Sequence, residues 1–66
     1  MITINGEPME FQQGIPLALA LAEKRIDLDA PMLVTVNGKL IDKWDTNRFM
    51  LSDGDEIKVM PVLSGG

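Results

Sequence analysis

Apolar and polar positions alternate at the start of the chain, where Ile2 and Ile4 flank Thr3 and Asn5-Gly6 follows. A period of two places both isoleucines on one face of a strand. Asn-Gly tolerates the positive φ angles of a tight hairpin turn. Pro8–Gln12 then reads as the returning strand, with Met9 and Phe11 on one face and Glu10 on the other. Residues 1–12 are therefore expected to form a hairpin.

Gly14 breaks that strand, and Pro16 suits the first turn of a helix, where a missing N–H costs nothing. Leu17–Arg25 (LALALAEKR) is the expected helix. Its Leu/Ala alternation has the period of a strand. Ala, Leu, Glu, Lys and Arg are all strong helix formers, however, and no β-branched residue interrupts the run. Leu17, Ala20 and Leu21 share a face and are expected in the core, while Leu19 points away and is expected to be partly exposed. Lys24 and Arg25 complement the carboxyl end of the helix dipole. Neither Gly14 nor Ile15 offers a side-chain oxygen to cap the amino end.

Ile26–Pro31 reads as a polar connector and Met32–Val36 as a strand rich in branched residues. Asn37-Gly38 repeats the hairpin dipeptide, and Lys39–Ile41 can return as a short strand. Asp42 is expected to cap a short turn carrying Trp44. Arg48–Leu51 leads into Ser52-Asp53-Gly54-Asp55, a turn-forming cluster. Glu56–Val62 is the last strand, with Ile57 and Val59 turned inward and Lys58, Met60 and Val62 outward. Trp44, Phe49 and Met50 are expected in the core or at its edge. One apolar helix needs a sheet to lie across, so the strand, strand, helix, strand, strand, strand order reads as a small α+β roll.

Composition narrows the function. Sixty-six residues make one domain, near the size at which a core can stand without staples. The chain has no Cys and no His. It thus lacks disulfides, a thiolate nucleophile, the usual zinc ligands and the common acid–base side chain. A self-sufficient hydrolase, redox protein or zinc module is disfavoured. A net charge of −4 argues against nucleic acid and anionic membrane surfaces as partners. The longest apolar run, Ile15–Ala22, is too short to span a bilayer, and no basic residue precedes Lys24 as in a signal peptide. A cytoplasmic location is expected. Asp53 and Asp55 could be mistaken for an acid–base pair or a metal site. Two close carboxylates without further oxygen ligands hold a metal poorly, so they read as turn residues and no metal site is expected.

The chain ends Val62-Leu63-Ser64-Gly65-Gly66. An extended Gly-Gly segment can thread a narrow channel, because glycine has no Cβ. Its terminal carbonyl carbon is also unhindered toward activation and attack. On the dipeptide alone, a frayed end is the competing explanation. The surrounding sequence adds to it. Asn5-Gly6, Val34-Thr35-Val36-Asn37-Gly38-Lys39-Leu40-Ile41 before a Trp-containing segment, Leu51-Ser52-Asp53-Gly54-Asp55-Glu56-Ile57 and the final Gly65-Gly66 occur in order at this length. In this the chain resembles the ThiS/MoaD family of ubiquitin-like sulfur carriers, most closely the thiamine-biosynthesis branch. Two departures stand out: the helix entry lacks a hydroxyl cap, and Ser64 replaces a small or aliphatic residue.

The resemblance implies a ubiquitin-like β-grasp roll, a mixed sheet of four to five strands packed on one main helix, with a flexible tail over 62–66. It implies that the Gly66 carboxylate is the working group. A ubiquitin-activating-type adenylyltransferase (ThiF-like) would adenylate it with ATP, and a sulfur donor system would convert it to a thiocarboxylate. In the thiamine branch the sulfur then passes to thiazole synthase (ThiG-like). The chain would bind no cofactor and would supply no catalytic side chain. Leu63, Ser64 and Gly65 would form the threading tail. Met60, Val62 and Lys58, outward by parity just before it, are then expected to dock partners, methionine suiting a surface that meets more than one; the competing reading is that parity breaks near Pro61 and these residues finish the core. Pro61, lacking an N–H, is expected to help release the chain from the sheet. The small subunit of molybdopterin synthase and a ubiquitin-like protein modifier remain as alternatives.

Overall fold

The alternating start of the chain folds as the expected hairpin in a computed structural model that describes residues 1–62. Strand β1 (Ile2–Ile4) pairs antiparallel with β2 (Glu7–Met9), Ile2 opposite Met9. Asn5 and Gly6 between them have φ of 52° and 83°. Two consecutive positive φ angles are what the tight, twist-matched hairpin turn requires. The second Asn-Gly repeats this geometry, with φ of 53° at Asn37 and 83° at Gly38. It joins β3 (Met32–Val36) to β4 (Lys39–Ile41). Strand β2 is shorter than the sequence suggests, and Phe11 packs half-buried against the core from the loop that follows.

The last strand, β5 (Glu56–Pro61), enters between the two hairpins. It runs parallel to β1 and antiparallel to β3, giving a mixed five-stranded sheet in the order β2-β1-β5-β3-β4. Helix α1 (Leu17–Glu23) is the one α-helix among the described residues. With Ile2, Ile4, Val34, Val36, Ile41 and Ile57, its Leu17, Ala20 and Leu21 make a single core. Each of the larger aliphatic side chains so buried contributes roughly 1.5–3 kcal/mol. Leu19 is about half exposed, as expected from its position on the helix. This is the ubiquitin-like β-grasp arrangement, one helix on a mixed sheet.

Both helix ends depart from the sequence expectation. Pro16 stands at the N-cap rather than inside the first turn and makes no side-chain cap. The loop before β5 supplies what is missing: Leu17 N–H donates to the Phe49 carbonyl at 2.8 Å and Ala18 N–H to the Thr46 carbonyl at 2.9 Å. Leu51 N–H in turn donates to the Ile15 carbonyl at 3.0 Å. Thr46 is buried, and its hydroxyl donates to the Lys43 carbonyl at 2.8 Å. At the other end the helix stops at Glu23, not Arg25. Arg25 N–H donates to the Ala22 carbonyl at 2.9 Å and Ile26 N–H to the Leu21 carbonyl at 3.0 Å. This is the Schellman closure, which needs a left-handed residue at its turn. Arg25 takes that position with φ of 61°. Ile26 and Leu28 then pack half-buried against the core, so the connector is less polar in effect than its sequence suggests.

A left-handed backbone is costly for arginine and nearly free for glycine. Arg25→Gly should therefore stabilise the domain by about 1 kcal/mol, seen as a higher urea midpoint at unchanged slope. A lower midpoint would mean that the Arg25 side chain contributes more than its backbone costs.

Candidate functional site

Strand β5 leads directly to the glycine-bearing end of the chain, so its two faces and two edges define the candidate site. Alternation holds along it as far as Met60, beyond which Pro61 is exposed too. Ile57 is buried and Val59 half-buried against the core, while Lys58, Met60 and Val62 are exposed. Met60 is 46% exposed and Val62 42%. The register places Leu33 of β3, also exposed, directly opposite Met60. Thr35 lies opposite Lys58 on one side and opposite exposed Leu40 of β4 on the other. The outer face of the sheet therefore carries an apolar group of Met60, Leu33 and Val62, with Lys58, Thr35 and Leu40 adjoining it.

Leu33 and Leu40 were not among the expected docking residues. Their outward direction was readable by parity, since Val34, Val36 and Ile41 point inward. Their position beside Met60 and Lys58 was not, because it depends on which strands pair and in which register.

Two corrections concern expected core residues. Trp44 is 79% exposed and Met50 56% exposed. Asp42 caps the turn as expected, accepting from Trp44 N–H at 3.0 Å, but this single 3-10 turn (Lys43–Asp45) buries none of its residues. Met50 is opposite Pro16 in an isolated bridge, fixed there by backbone bonding rather than by its side chain. Phe49 does pack against the core.

A third correction concerns Pro61. It does not release the chain, because Pro61 pairs with Met32 and Val62 N–H still donates to the Pro31 carbonyl at 3.2 Å. Polar groups alternate between the two edges of a strand. The Val62 bond to β3 means that the Pro61 nitrogen faces the other edge, so the ladder loses no rung. Of the tail expected over 62–66, Val62 is thus still bonded to the neighbouring chain, and Leu63, Ser64, Gly65 and the expected working group Gly66 lie outside the described residues.

The edges of β5 are held by the two hairpin asparagines. Asn5 N–H donates to the Ile57 carbonyl at 2.9 Å, and Asn5 Oδ1 accepts from Val59 N–H at 2.9 Å. On the opposite edge Asn37 N–H donates to the Glu56 carbonyl at 2.8 Å, and Asn37 Oδ1 accepts from Glu56 N–H at 2.9 Å. Asn37 Nδ2 also donates to Asp55 Oδ1 at 2.9 Å. The Asn-Gly signal indicated the turns but not this bracing. The acidic turn is committed to structure as well: Asp55 Oδ2 accepts from Ser52 N–H at 2.8 Å, and Asp53 pairs with the amino-terminal ammonium of Met1. Among the described residues, no group of three or more His, Cys, Asp or Glu side chains could hold a metal ion.

Neighbouring positions on β5 should respond oppositely to substitution. Met60→Glu should leave unfolding stability within about 0.5 kcal/mol of the native chain, as an exposed site does. Ile57→Ala should cost about 2–5 kcal/mol by opening a cavity in the core. Chemical denaturation of both variants checks this, and an equal loss in both would place Met60 in the core.

No curated protein matches the chain. The crystal structure of a thiamine biosynthesis protein (ThiS) from Geobacter metallireducens superposes with a TM-score of 0.80 at 19% identity, covering 98% of this chain and 97% of that one. The solution structure of a thiamine biosynthesis protein from the same organism gives a TM-score of 0.71 at 19% identity, with 98% and 86% covered. At that identity the likeness establishes the fold. The sequence itself matches the model of the ThiS family over residues 2–66. The match spans nearly the whole chain, which therefore belongs to the ThiS family, a family of small sulfur carriers of thiamine biosynthesis.

Proposed function

We infer that this chain carries sulfur for the thiazole half of thiamine on the carboxylate of Gly66. The observation that carries the reading is the family match, which extends through the final glycines to residue 66. In the proposed sequence a ThiF-like adenylyltransferase binds the carrier and ATP. The Gly66 carboxylate attacks the α-phosphate, pyrophosphate leaves, and an acyl-adenylate forms. Sulfide-level sulfur from a donor system then attacks the Gly66 carbonyl carbon, the bond to AMP breaks, and a terminal thiocarboxylate is left. A ThiG-like thiazole synthase accepts the sulfur, and the carboxylate returns for another cycle.

The carrier's own part is to present and to dock. The absence of Cys and His suits a chain whose partners supply the chemistry. The exposed apolar group of Met60, Leu33 and Val62 lies at the base of the tail and offers a partner a desolvatable contact. Met60, Val62 and Lys58 act as docking residues in this reading, with Leu33 added from the sheet register. Leu63, Ser64 and Gly65 serve as the segment that threads toward the partner's active site.

Intact mass spectrometry tests the reading. Incubation with ATP, the adenylyltransferase and a sulfur donor should raise the mass by one oxygen-to-sulfur exchange, located at Gly66 by fragmentation. Deleting Gly66 should abolish that shift without changing the unfolding midpoint, since terminal residues contribute little packing. An unchanged mass, under conditions that convert an authentic carrier, would defeat the proposal. Adducts on other proteins would indicate a conjugated modifier instead.

A further inference from the structure

We propose that Asn5-Gly6 is a site of spontaneous deamidation in the folded protein, and that its twin, Asn37-Gly38, is protected by Asp55. Both dipeptides follow a β-branched residue, Ile4 and Val36. Both occupy turns of nearly identical backbone, with φ of 52° and 83° against 53° and 83°. The preceding residue and the turn geometry therefore do not separate them, although Glu7 follows one and Lys39 the other, and the hydrogen bonds on the two amides do.

The reaction needs no enzyme. The backbone nitrogen of the glycine attacks Cγ of the asparagine, forming a C–N bond and closing a five-membered succinimide. The bond from Cγ to Nδ2 breaks, and ammonia leaves with the proton that the glycine nitrogen gives up. Water then opens the ring at either carbonyl, yielding aspartate or isoaspartate. Glycine favours the step because no side chain shields its nitrogen.

The asparagine must first let go of its partners. Asn5 has one side-chain bond to surrender, that from Val59 N–H to Oδ1. Among the described residues nothing holds its Nδ2, the departing nitrogen. Asn37 must surrender two: Oδ1 accepts from Glu56 N–H, and Nδ2 donates to Asp55 Oδ1 at 2.9 Å. The second bond is charge-assisted and so among the stronger kind. An ionised carboxylate also has no proton to give a leaving amine, and it opposes negative charge building on the adjacent Cγ oxygen. These effects act in the same direction. Losing one charge-assisted bond before reaction should slow Asn37 relative to Asn5 by about tenfold or more.

The two products differ in consequence. Aspartate at position 5 keeps an oxygen acceptor for Val59 N–H. Isoaspartate adds a methylene to the main chain inside a two-residue turn and withdraws that acceptor. The loss falls on the strand position next to Met60, on the edge that β1 does not otherwise reach.

The native chain, aged in warm, mildly alkaline buffer with and without urea, decides the matter by peptide mapping. Acid at residue 5 should accumulate about tenfold or more faster than at residue 37 in the folded protein, and the two rates should converge in urea. Equal rates when folded, earlier reaction at residue 37, or no acid at residue 5 would overturn the proposal. So would a difference that persists in urea, because its source would then be local sequence. Asp55→Ala should raise the rate at residue 37 toward that at residue 5, and an unchanged rate would remove Asp55 from the explanation. In the aged protein, faster hydrogen exchange at the Val59 amide should track the isoaspartate form and not the aspartate form.

Discussion

The strand made last in the sequence is the one at the centre of the sheet. Strand β5 has a hairpin on each side, parallel pairing to β1 and antiparallel pairing to β3. Until it inserts, the two hairpins have no common sheet and the core lacks Ile57. Its backbone polar groups must also be satisfied on both edges at once. Strand β1 is too short to do this alone, since its ladder with β5 ends at Ile4 opposite Ile57. The side chain of Asn5 extends it by one rung to Val59, across a sequence separation of 54 residues. Asn37 performs the matching task at the start of β5 on the other side. The residues that make the turns possible by tolerating positive φ are thus the ones that fasten the central strand.

The helix shows the same dependence on distant chain. Seven residues are too few to hold a helix in water. Its amino end has no side-chain cap, and two of its free N–H groups are taken by carbonyls of the 46–49 loop. Burial of Thr46 with its hydroxyl satisfied keeps that loop in place. The helix therefore exists because the sheet and the loop exist. A weak cap in the sequence is compensated by tertiary contact.

One face of the sheet is spent on the helix, which leaves the other for contact outside the domain. The fully buried positions of β1, β3, β4 and β5 are Ile or Val, as a half-covered sheet demands. The outer positions are mixed, and their apolar members gather where β3 and β5 approach the end of the chain. For the proposed carrier role this matters more than any single side chain, since the fold must hold a tail and a contact face together for enzymes that supply the reaction. Among the described residues no helix is long and apolar enough to cross a membrane.

The sequence by itself determined the elements whose cause is local. Two Asn-Gly turns, the β5 parity that sends Ile57 inward and Met60 outward, the Leu17, Ala20, Leu21 face and the Asp42 cap all follow from residue type and spacing. The ordered motifs by themselves carry the family resemblance. The tertiary structure decided what depends on meeting distant chain. Strand order and register made Leu33 a neighbour of Met60. The closing contact of Ile26 ended the helix early and drove Arg25 into a left-handed conformation. The 3-10 turn left Trp44 in solvent although its composition suggested burial. The orientation of the Pro61 nitrogen, away from β3, kept β5 paired with β3 at a residue expected to release it. A local preference such as the cost of a left-handed arginine is about 1 kcal/mol, and contacts with distant chain can outweigh it.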